Sequence, residues 1–426
     1  MSGQPASSGL RPLWLLLAGR FLSQLGDAIF LTTLLLWVAD LTDSPAAVAG
    51  VFIASAIPVF LFSPFAGVYV DRWSYKRTLI NCDLVRALLV LLLIFVESSD
   101  LLFLIYIDVF LISVASRFFT PAMTAAVPAI VPEDQVPRAT SLMESTYGLT
   151  FVIGPALAAP LFALTGPEVA LAINAFSYIP SVIAIWLCEI NEESRERAGL
   201  AAESVRQEIV DGLKFIRRSR LQTTALLSAT VLLLGGGMLD AVNVFFIDEA
   251  LESSRSYVGV AESLQAAGYT LGSLALFWLA ARARLWTLVA LGMVGIGITT
   301  LVYSQMTALA PALIVYGAQG LPNGVAYSAN EAFIVTRTTA RFRGRVLSFH
   351  GMAAYGAVII GAALGGLLAE LMDVRWIVTL AALLFFVAGL YAFWGFSRAS
   401  DTEKDQDENQ ALELDLAVSG PPSSVS

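Results

Sequence analysis

Twelve long apolar segments follow one another along this sequence, and they limit the folds that the chain can adopt. Each segment is long enough for a helix, rising ~1.5 Å per residue, to cross a hydrocarbon core ~30 Å thick. Transmembrane strands are shorter and alternate in hydrophobicity, whereas these segments do not. Their predicted limits are 13–39, 46–70, 78–97, 101–123, 138–165, 169–189, 221–247, 257–281, 285–305, 309–335, 344–372 and 374–397.

The composition also favours helices in lipid over a soluble domain. Charged residues make up 14% of the 426 residues, against roughly 25% in a typical soluble domain. Apolar residues reach 57% and the mean hydropathy is +0.74, which is more than a soluble protein could bury. We therefore predict an all-α membrane protein with twelve transmembrane helices. The first segment has no basic leader or small-residue cleavage site, so we expect a retained span rather than a signal peptide.

Lysine and arginine residues predict how these helices are oriented. With both termini in the cytoplasm, 20 of the 25 basic residues fall on the cytoplasmic side, and only Arg255 and Arg375 fall outside. Cytoplasmic loops normally carry such an excess. The cytoplasmic set is Arg11, Arg72, Lys76, Arg77, Arg138, seven residues from Arg195 to Arg220, Arg282, Arg284, Arg337, Arg341, Arg343, Arg345, Arg398 and Lys404. We expect a multi-pass protein of the cell (inner) membrane with both termini in the cytoplasm.

Four regions are expected along the chain. They are an N-terminal six-helix half (1–189), a cytoplasmic linker (190–220), a C-terminal six-helix half (221–397) and an acidic tail (398–426). In the linker, apolar residues recur at helical spacing, which predicts an amphipathic helix on the cytoplasmic surface. The tail holds seven acids and two bases and lacks apolar periodicity, so we expect it to be disordered.

An internal repeat relates the two halves. When residues 137–166 are aligned with 344–373, four identical pairs coincide. The pairs are Arg138 with Arg345, Ser141 with Ser348, Gly154 with Gly361, and Leu157 with Leu364. Repeats of this kind are typical of transporters built from two related halves.

Short motifs in and between the segments resemble those of the major facilitator superfamily. Residues 67–72 read Gly-Val-Tyr-Val-Asp-Arg and are followed by Lys76 and Arg77, which is similar to that family's cytoplasmic-loop signature between spans 2 and 3. The resemblance is closest to the drug:proton antiporter branch, which includes macrolide-efflux proteins and the enterobactin exporter. Further similar motifs are Gly26-Asp27, Asp83-Leu84-Val85-Arg86, Gly154-Pro155, Asp211-Gly212-Leu213-Lys214-Phe215 and Arg343-Gly344-Arg345.

This resemblance implies a major facilitator fold, with two pseudo-symmetric six-helix bundles working by alternating access. In the family the loop latches the halves on the cytoplasmic side, which implies gating roles for Gly67, Asp71, Arg72, Lys76 and Arg77. The three bases are explained equally well as orientation signals. Asp71 is not, because an acid among cytoplasmic bases does not help orientation; it could hold a helix N-terminus or an arginine.

Two departures from the family pattern concern the antiporter assignment rather than the fold. The loop between spans 8 and 9, residues 280–284, keeps its bases but has no Asp. In span 5, Ala158 and Ala159 follow the Gly-Pro motif, where antiporters of this branch often have paired glycines.

Charged residues inside the predicted spans are the candidates for function, because each costs roughly 2.5–3.5 kcal/mol at a span centre. By resemblance, spans 1, 4, 7 and 10 line the central cavity. We predict Asp27, Glu144 and Asp240 as candidates for proton coupling, because a carboxylate inside the bilayer can bind and release a proton during a transport cycle. The alternative for Asp27 is a structural acid held by Gln24 or Arg20.

Polar stripes on spans 1 and 10 predict where a substrate would bind. Their residues recur at intervals of three and four, hence on one helical face, and polar and aromatic groups suit a cavity for an amphipathic ligand. Hydrogen bonding between helices is the alternative explanation. The predicted cavity residues are Arg20 and Gln24 of span 1, Arg117 of span 4, Asn243 of span 7, and Tyr316, Gln319, Asn323, Tyr327 and Glu331 of span 10.

Motifs for catalysis or metal binding are not found in the sequence. There is no phosphate-binding Walker loop, metal-ligand cluster or nucleophile elbow. His350, the single histidine, is expected to be a packed or hydrogen-bonded side chain. Neither a disulfide nor a metal site is expected from Cys82 and Cys188. We therefore expect no enzymatic activity, cofactor, metal or nucleic-acid partner.

Taken together, these features predict a secondary active transporter that exports a lipophilic or amphipathic small molecule, with protons as the coupling ion. We expect it to act as a monomer in the lipid bilayer. A siderophore or lysophospholipid exporter and an uncoupled facilitator stay open as alternatives. A non-transporting receptor or scaffold is the alternative from another class, although such a protein would gain little from intramembrane carboxylates.

Overall fold

The computed structural model describes residues 11–70, 72–96, 98–131, 135–188, 190 and 213–400, and this part of the chain contains twelve helices of 18 residues or more. Each overlaps one predicted span, so the prediction of twelve transmembrane helices is confirmed. The helices are α1 (Arg11–Thr42), α2 (Pro45–Val70), α3 (Tyr75–Leu92), α4 (Leu102–Ile130), α5 (Val136–Thr165), α6 (Pro167–Leu187), α7 (Arg220–Phe245), α8 (Tyr257–Leu279), α9 (Leu285–Ser304), α10 (Leu309–Thr336), α11 (Ala340–Ala369) and α12 (Val374–Ser400).

Local sequence signals explain several of the helix ends. The hydroxyls of Ser74 and Ser219 accept hydrogen bonds from the backbone N–H groups three residues later and so cap α3 and α7. Proline is the first residue of α2 and of α6, where its missing N–H costs nothing. Between α5 and α6, Gly166 adopts a φ of 76°, a left-handed conformation that glycine reaches without steric cost.

The surface of the bundle is apolar, as expected of a protein in lipid. Large side chains such as Leu164, Phe277 and Trp376 are more than half exposed, which water would disfavour and hydrocarbon does not. Ten of the twelve helices are long and apolar enough to cross a membrane. The other two are α8 and α10, whose polar residues lower their hydropathy.

Helix packing shows two six-helix halves with the same internal arrangement. In the N-terminal half, α1 packs against α5 and α6, α2 against α4, and α3 against α4 and α6. Adding six to each number gives the packing of the C-terminal half, where α7 contacts α11 and α12, α8 contacts α10, and α9 contacts α10 and α12. The halves meet mainly through two contacts, α2 with α11 and α5 with α8. Matching each helix with its counterpart in the other half converts one of these contacts into the other.

The two ends of the bundle differ in charge. We call the end with the α2–α3, α4–α5, α6–α7, α8–α9 and α10–α11 connections the basic end, because most of the described lysines and arginines lie there. The opposite end is the acidic end. Its described acids include Asp40, Asp43, Asp100, Glu168, Asp248, Glu249, Glu252, Glu370 and Asp373.

Most of the predicted linker helix and tail lies outside the described residues, as does Asp71. Of the linker, residues 190 and 213–220 are described, and residues 213–218 are helical. Its Phe215 and Ile216 are buried, and the Phe215 ring stacks on Phe342 at 5.2 Å between centroids. The four-region division of the chain stays a prediction.

Candidate functional site

A cavity of about 560 Å³ lies between the two halves. Its lining side chains come from α1, α2, α3, α4, α5, α7, α8, α10 and α11, and none of the described lining residues belongs to α6, α9 or α12. The predicted residues Arg20, Gln24, Asp27, Arg117, Asp240, Asn243 and Tyr316 all line it. The cavity therefore collects polar groups of both halves in the middle of an apolar bundle.

On the N-terminal side, a buried arginine anchors the wall. Arg86 of α3 donates a hydrogen bond to Asp83 one turn earlier, and both side chains are almost fully buried. The other terminal nitrogen of Arg86, Nη1, lies 3.5 Å from Oδ2 of Asp27 in α1. The guanidinium also lies over the rings of Phe119 and Tyr178, at 4.5 and 4.8 Å from their centroids.

Asp27 is held by more than this ion pair, because the Tyr178 hydroxyl of α6 donates a hydrogen bond to its other oxygen. Three helices thus converge on one carboxylate. Gly26, the preceding residue, allows this approach, since a Cβ there would lie 2.2 Å from the Ser177 Oγ of α6. Asp27 therefore combines a cavity position with structural contacts, and its predicted role in proton coupling is untested.

Two further arginines of the N-terminal half face the cavity. The Arg20 guanidinium also lies over the Phe119 ring, 4.6 Å from its centroid. Arg117 also lines the cavity, and its Nε has no hydrogen-bond partner among the described residues. Neither guanidinium has a described carboxylate within 4.0 Å. These two side chains make the N-terminal wall cationic.

The C-terminal wall is acidic instead. Asp240 of α7 and Glu262 of α8 both line the cavity and interact electrostatically with each other. No described base lies within 4.0 Å of either carboxylate. Glu262 Oε2 accepts a hydrogen bond from the Thr32 hydroxyl of α1 at 3.0 Å, so this wall also has a direct contact with the N-terminal half.

Behind this wall, polar residues of α7, α9 and α10 hydrogen-bond to one another. The Tyr303 hydroxyl donates to Asn243 Oδ1 at 2.9 Å, and Gln319 donates to Thr300 at 2.8 Å. The Tyr316 ring packs on Tyr303 at 4.9 Å between centroids. The part of the predicted α10 stripe with Tyr316 and Gln319 thus includes a hydrogen bond between helices, which was the alternative explanation for the polar stripe.

The rest of the α10 stripe lies away from the cavity lining. Tyr327 and Glu331 are exposed towards the basic end, and the Tyr327 ring lies 6.0 Å from that of Tyr269. Asn323 is half-buried. Glu144 of α5, a predicted proton-coupling residue, is exposed and is not among the lining residues. The structure therefore separates these four residues from Asp27 and Asp240.

The halves are apart at the basic end and packed together at the acidic end. At Gly67, Gly148, Gly344 and Gly351, no heavy atom lies within 4 Å of the position that a Cβ would take. At Gly366 of α11, by contrast, a Cβ would lie 2.7 Å from Ala49 Cβ of α2. The structure therefore shows a conformation open at the basic end.

An arginine network joins the halves at the closed acidic end. Arg255, between α7 and α8, donates hydrogen bonds to the Ala39 carbonyl at 2.7 Å and to the carboxylates of Asp43 and Asp248. Burial lowers the pKa of Arg255, but hydrogen bonds to these carboxylates outweigh that effect and raise it above its usual value. Arg255 thus stays cationic, and it connects the end of α1 with the π-helical turn Phe246–Ala250 that follows α7.

The sequence identifies Asp83 and Arg86 only as motif residues and predicts no cavity role for Thr32, Tyr178 or Glu262. An acid within an apolar span was a signal for Glu262. Thr32 and Tyr178 carried none, since a single hydroxyl in an apolar helix is unremarkable until the fold shows what it faces.

The fold has two related six-helix halves, a polar cavity between them, and closure at one end only. These features define a membrane transporter of the major facilitator class. The chain belongs to the family described as transmembrane secretion effector, whose sequence profile matches residues 8–420. It is therefore a multi-pass membrane transporter of the major facilitator superfamily, and the predicted resemblance is confirmed.

Similar proteins include efflux transporters. The macrolide efflux protein A of Streptococcus pyogenes is 22% identical over 378 residues, which cover 87% of this chain and 93% of that protein. The uncharacterized MFS-type transporter YfiS of Bacillus subtilis is 24% identical over 412 residues, covering 92% and 95%.

Solved structures show the same fold. The nucleoside transporter NupG superposes with a TM-score of 0.76 at 12% identity, covering 90% of this chain and 99% of that one. A bacterial homologue of the human lysosomal transporter Spinster, in an inward-facing and unoccupied conformation, gives 0.71 at 12% identity, covering 93% and 98%. At identities this low, the similarity shows the fold only. The substrate has to be inferred from the cavity of this chain.

Proposed function

We propose that this protein is a secondary active transporter that exports a lipophilic or amphipathic small molecule by alternating access, coupled to protons. The observation that carries the proposal is the C-terminal wall of the cavity, where Asp240 and Glu262 interact electrostatically and have no described basic partner. A carboxylate pair in such a place is costly to keep unless a proton or a ligand uses it.

The chemistry of the cavity supports an amphipathic substrate. Phe30, Phe52, Phe119 and Phe151 line it together with the charged residues, so an apolar body and a polar group could both be accommodated. The likeness to a macrolide efflux protein agrees with a large drug-like compound. A volume of about 560 Å³ lies within the range of roughly 300–1,000 Å³ that is usual for small-molecule sites.

A second candidate substrate class is favoured by Arg20 and Arg117. Two guanidinium groups without described carboxylate partners would suit an anionic amphiphile, such as a siderophore or a lysophospholipid. If the protein were an uncoupled facilitator, the acidic wall would have no role. If it were a receptor or scaffold, the cavity would have no role.

Orientation belongs to the proposal as well. We place the basic end in the cytoplasm, because the predicted topology puts 20 of the 25 basic residues on that side of the membrane. The conformation described here is then inward-facing, with both termini in the cytoplasm and the protein acting as a monomer in the cell membrane. Substrate would enter from the cytoplasm or the inner leaflet and leave at the acidic end.

Everted membrane vesicles test the proposal. Vesicles containing the protein should accumulate ethidium or radiolabelled erythromycin when respiration acidifies their lumen, and should lose the accumulated probe when nigericin collapses the pH gradient. Vesicles without the protein are the control. Accumulation that needs the protein but is indifferent to nigericin would reject proton coupling while keeping transport, and no accumulation of either probe would reject the drug-like substrate class.

A further inference from the structure

The hydrogen bond between Thr32 and Glu262 differs from the other described hydrogen bonds between the two halves. Those others, formed by Arg255 and by Ser44 with Glu370, lie at the rim of the acidic end. The Thr32 bond lies inside the cavity, between residues 230 positions apart. Both residues line the space where we propose that the substrate binds.

Thr32 also differs from most serines and threonines of these helices in the acceptor that its hydroxyl uses. Thr120, Thr124 and Thr140 donate to the carbonyl oxygen four residues earlier in their own helix, which is the usual acceptor for a helical hydroxyl. Thr32 donates to a carboxylate of the other half instead. Rotation about one side-chain bond would return its hydroxyl to a backbone acceptor, so this contact can be broken without leaving a donor unsatisfied.

Titratable neighbours of Glu262 are few among the described residues. Asp240 of α7 and Tyr316 of α10 interact with it electrostatically. From α5, the described contacts near this level are made by Pro155 and Ala159, which pack against Gly259. Thr32 is the described hydrogen-bond donor to Glu262, and it therefore occupies the place where a donor group of a ligand would bind.

We propose that Thr32 and the transported molecule compete for the Glu262 carboxylate, so that substrate binding releases the contact between the two halves. This inference rests on the proposed transport function. In the empty transporter the Thr32 bond helps to keep the acidic end closed. A hydrogen-bond-donating group of the substrate displaces Thr32, which turns back to its own helix, and the acidic end becomes free to open.

Such competition makes substrate binding a condition for the conformational change. A transporter that changed state while empty would lose the coupling between its two fluxes, whereas a contact that only substrate can replace resists this change. Glu262 then binds the substrate and, through its hydrogen bond with Thr32, also couples substrate binding to the contact with the other half.

The test compares two variants of adjacent residues. Thr32→Val removes the hydroxyl and keeps the shape of the side chain. Thr33→Val is the matched control, because Thr33 is fully buried and its hydroxyl has no described hydrogen-bond partner. Ethidium is the probe, and its dissociation constant is measured by fluorescence polarisation on protein in nanodiscs, with empty nanodiscs subtracted.

Closure of the acidic end is measured by cross-linking in nanodiscs, with and without ethidium. Cysteines at Ser44 and Glu370, whose side-chain oxygens are 3.2 Å apart, are joined by a short bifunctional thiol reagent after Cys82 and Cys188 are replaced. Ethidium should reduce cross-linking of the otherwise unchanged protein, since it displaces Thr32.

We expect Thr32→Val to bind ethidium about ten-fold more tightly than Thr33→Val, the effect of removing a charge-assisted competitor, and to cross-link less when empty. Glu262→Gln should weaken ethidium binding, and adding Thr32→Val to it should then change affinity by much less. Equal binding by the Thr32 and Thr33 variants, or no ethidium binding by either, would overturn the inference. The proposed function fails separately, if the unaltered protein moves no probe in everted vesicles.

Discussion

The Arg255 guanidinium donates a hydrogen bond to the Asp43 carboxylate across the boundary between the two halves. Asp43 has a φ of 49°, a left-handed conformation that aspartate tolerates better than most residues. It is placed in the turn between α1 and α2 so that its side chain meets a residue of the α7–α8 connection. One arginine thereby ties together the elements that must separate if the acidic end is to open.

Removing this arginine should favour opening of the acidic end. Asp40 and Asp43 are more than half exposed, so we expect Arg255→Gln to cost the closed state about 1 kcal/mol, a roughly five-fold shift in the two-state balance. Cross-linking between cysteines at Ser44 and Glu370 should fall accordingly.

Arg375→Gln is the matched control for that variant. Its guanidinium bonds to backbone carbonyls of its own half, among them Ser304 and Met306 at 3.0 and 2.6 Å. A loss of cross-linking as large in Arg375→Gln as in Arg255→Gln would show that the effect is general destabilisation rather than release of the two halves.

Two glycines of α11 should trap the protein in opposite conformations. A valine at Gly366 would collide with Ala46 and Ala49 of α2, and overpacking of this kind typically costs ~1–3 kcal/mol. Gly351→Val meets nothing in the present conformation; we expect it to obstruct closure of the basic end instead.

Labelling of a cysteine at Thr120, an exposed cavity residue, distinguishes the two glycine variants. In everted vesicles an impermeant thiol reagent should label it less in Gly366→Val and as well as in the parent protein in Gly351→Val. Both variants should lose transport. Normal transport by Gly351→Val would mean that this part of α11 does not approach the N-terminal half when the basic end closes.

Asp83 should be essential for stability rather than for coupling. It is fully buried, and it is hydrogen-bonded to Arg86, which is 3% exposed. Asp83→Ala removes one partner of a buried ion pair, a change that typically costs ~3–5 kcal/mol. The melting temperature of the purified protein should fall far more than in Asp100→Ala, which changes an exposed acid of the acidic end. Similar melting temperatures for the two variants would contradict this account.

How far the sequence could predict this molecule depends on the distance over which each feature acts. The helices follow from local hydropathy, and the limits of α1 and α12 differ from the predicted spans by a few residues because apolar runs do not mark helix ends. The contact of Asp27 with Tyr178 joins residues 151 positions apart. No spacing rule within one helix could reveal it.

The α10 stripe shows the same limit in another way. Helical periodicity correctly places Gln319 and Tyr327 on related faces, but it does not say what each face meets. Gln319 is buried against Thr300 of α9, while Tyr327 lies exposed near the basic end. Only the packing of α10 against α8 and α9 separates the two surroundings.

Membrane orientation is tested by thiol labelling in intact cells. Engineered cysteines at Ser99 and Ser254, which both lie at the acidic end, should react with an impermeant reagent added outside, and a cysteine at Ser194 should not. Detergent-permeabilised cells control for reactivity. Labelling at Ser194 in intact cells would reverse the orientation and, with it, the direction of transport that we propose.

Two of the predicted proton-coupling residues, Asp27 and Glu144, should give different results when neutralised. Asp27→Asn should lower the melting temperature as well as gradient-driven transport, because Arg86 and Tyr178 both contact that carboxylate. Glu144→Gln should retain transport, since Glu144 is exposed outside the cavity lining. A thermally stable Asp27→Asn that transports normally would remove Asp27 from the mechanism.

Proton coupling through the acidic wall is tested most directly by Asp240→Asn in proteoliposomes with an imposed pH gradient. The variant should exchange labelled for unlabelled ethidium across the membrane, because this needs binding and alternating access but no net proton movement. It should accumulate no ethidium against a concentration gradient when the pH gradient is applied, whereas the unaltered protein should. Full gradient-driven accumulation by Asp240→Asn would contradict the assignment of the coupling proton to this wall.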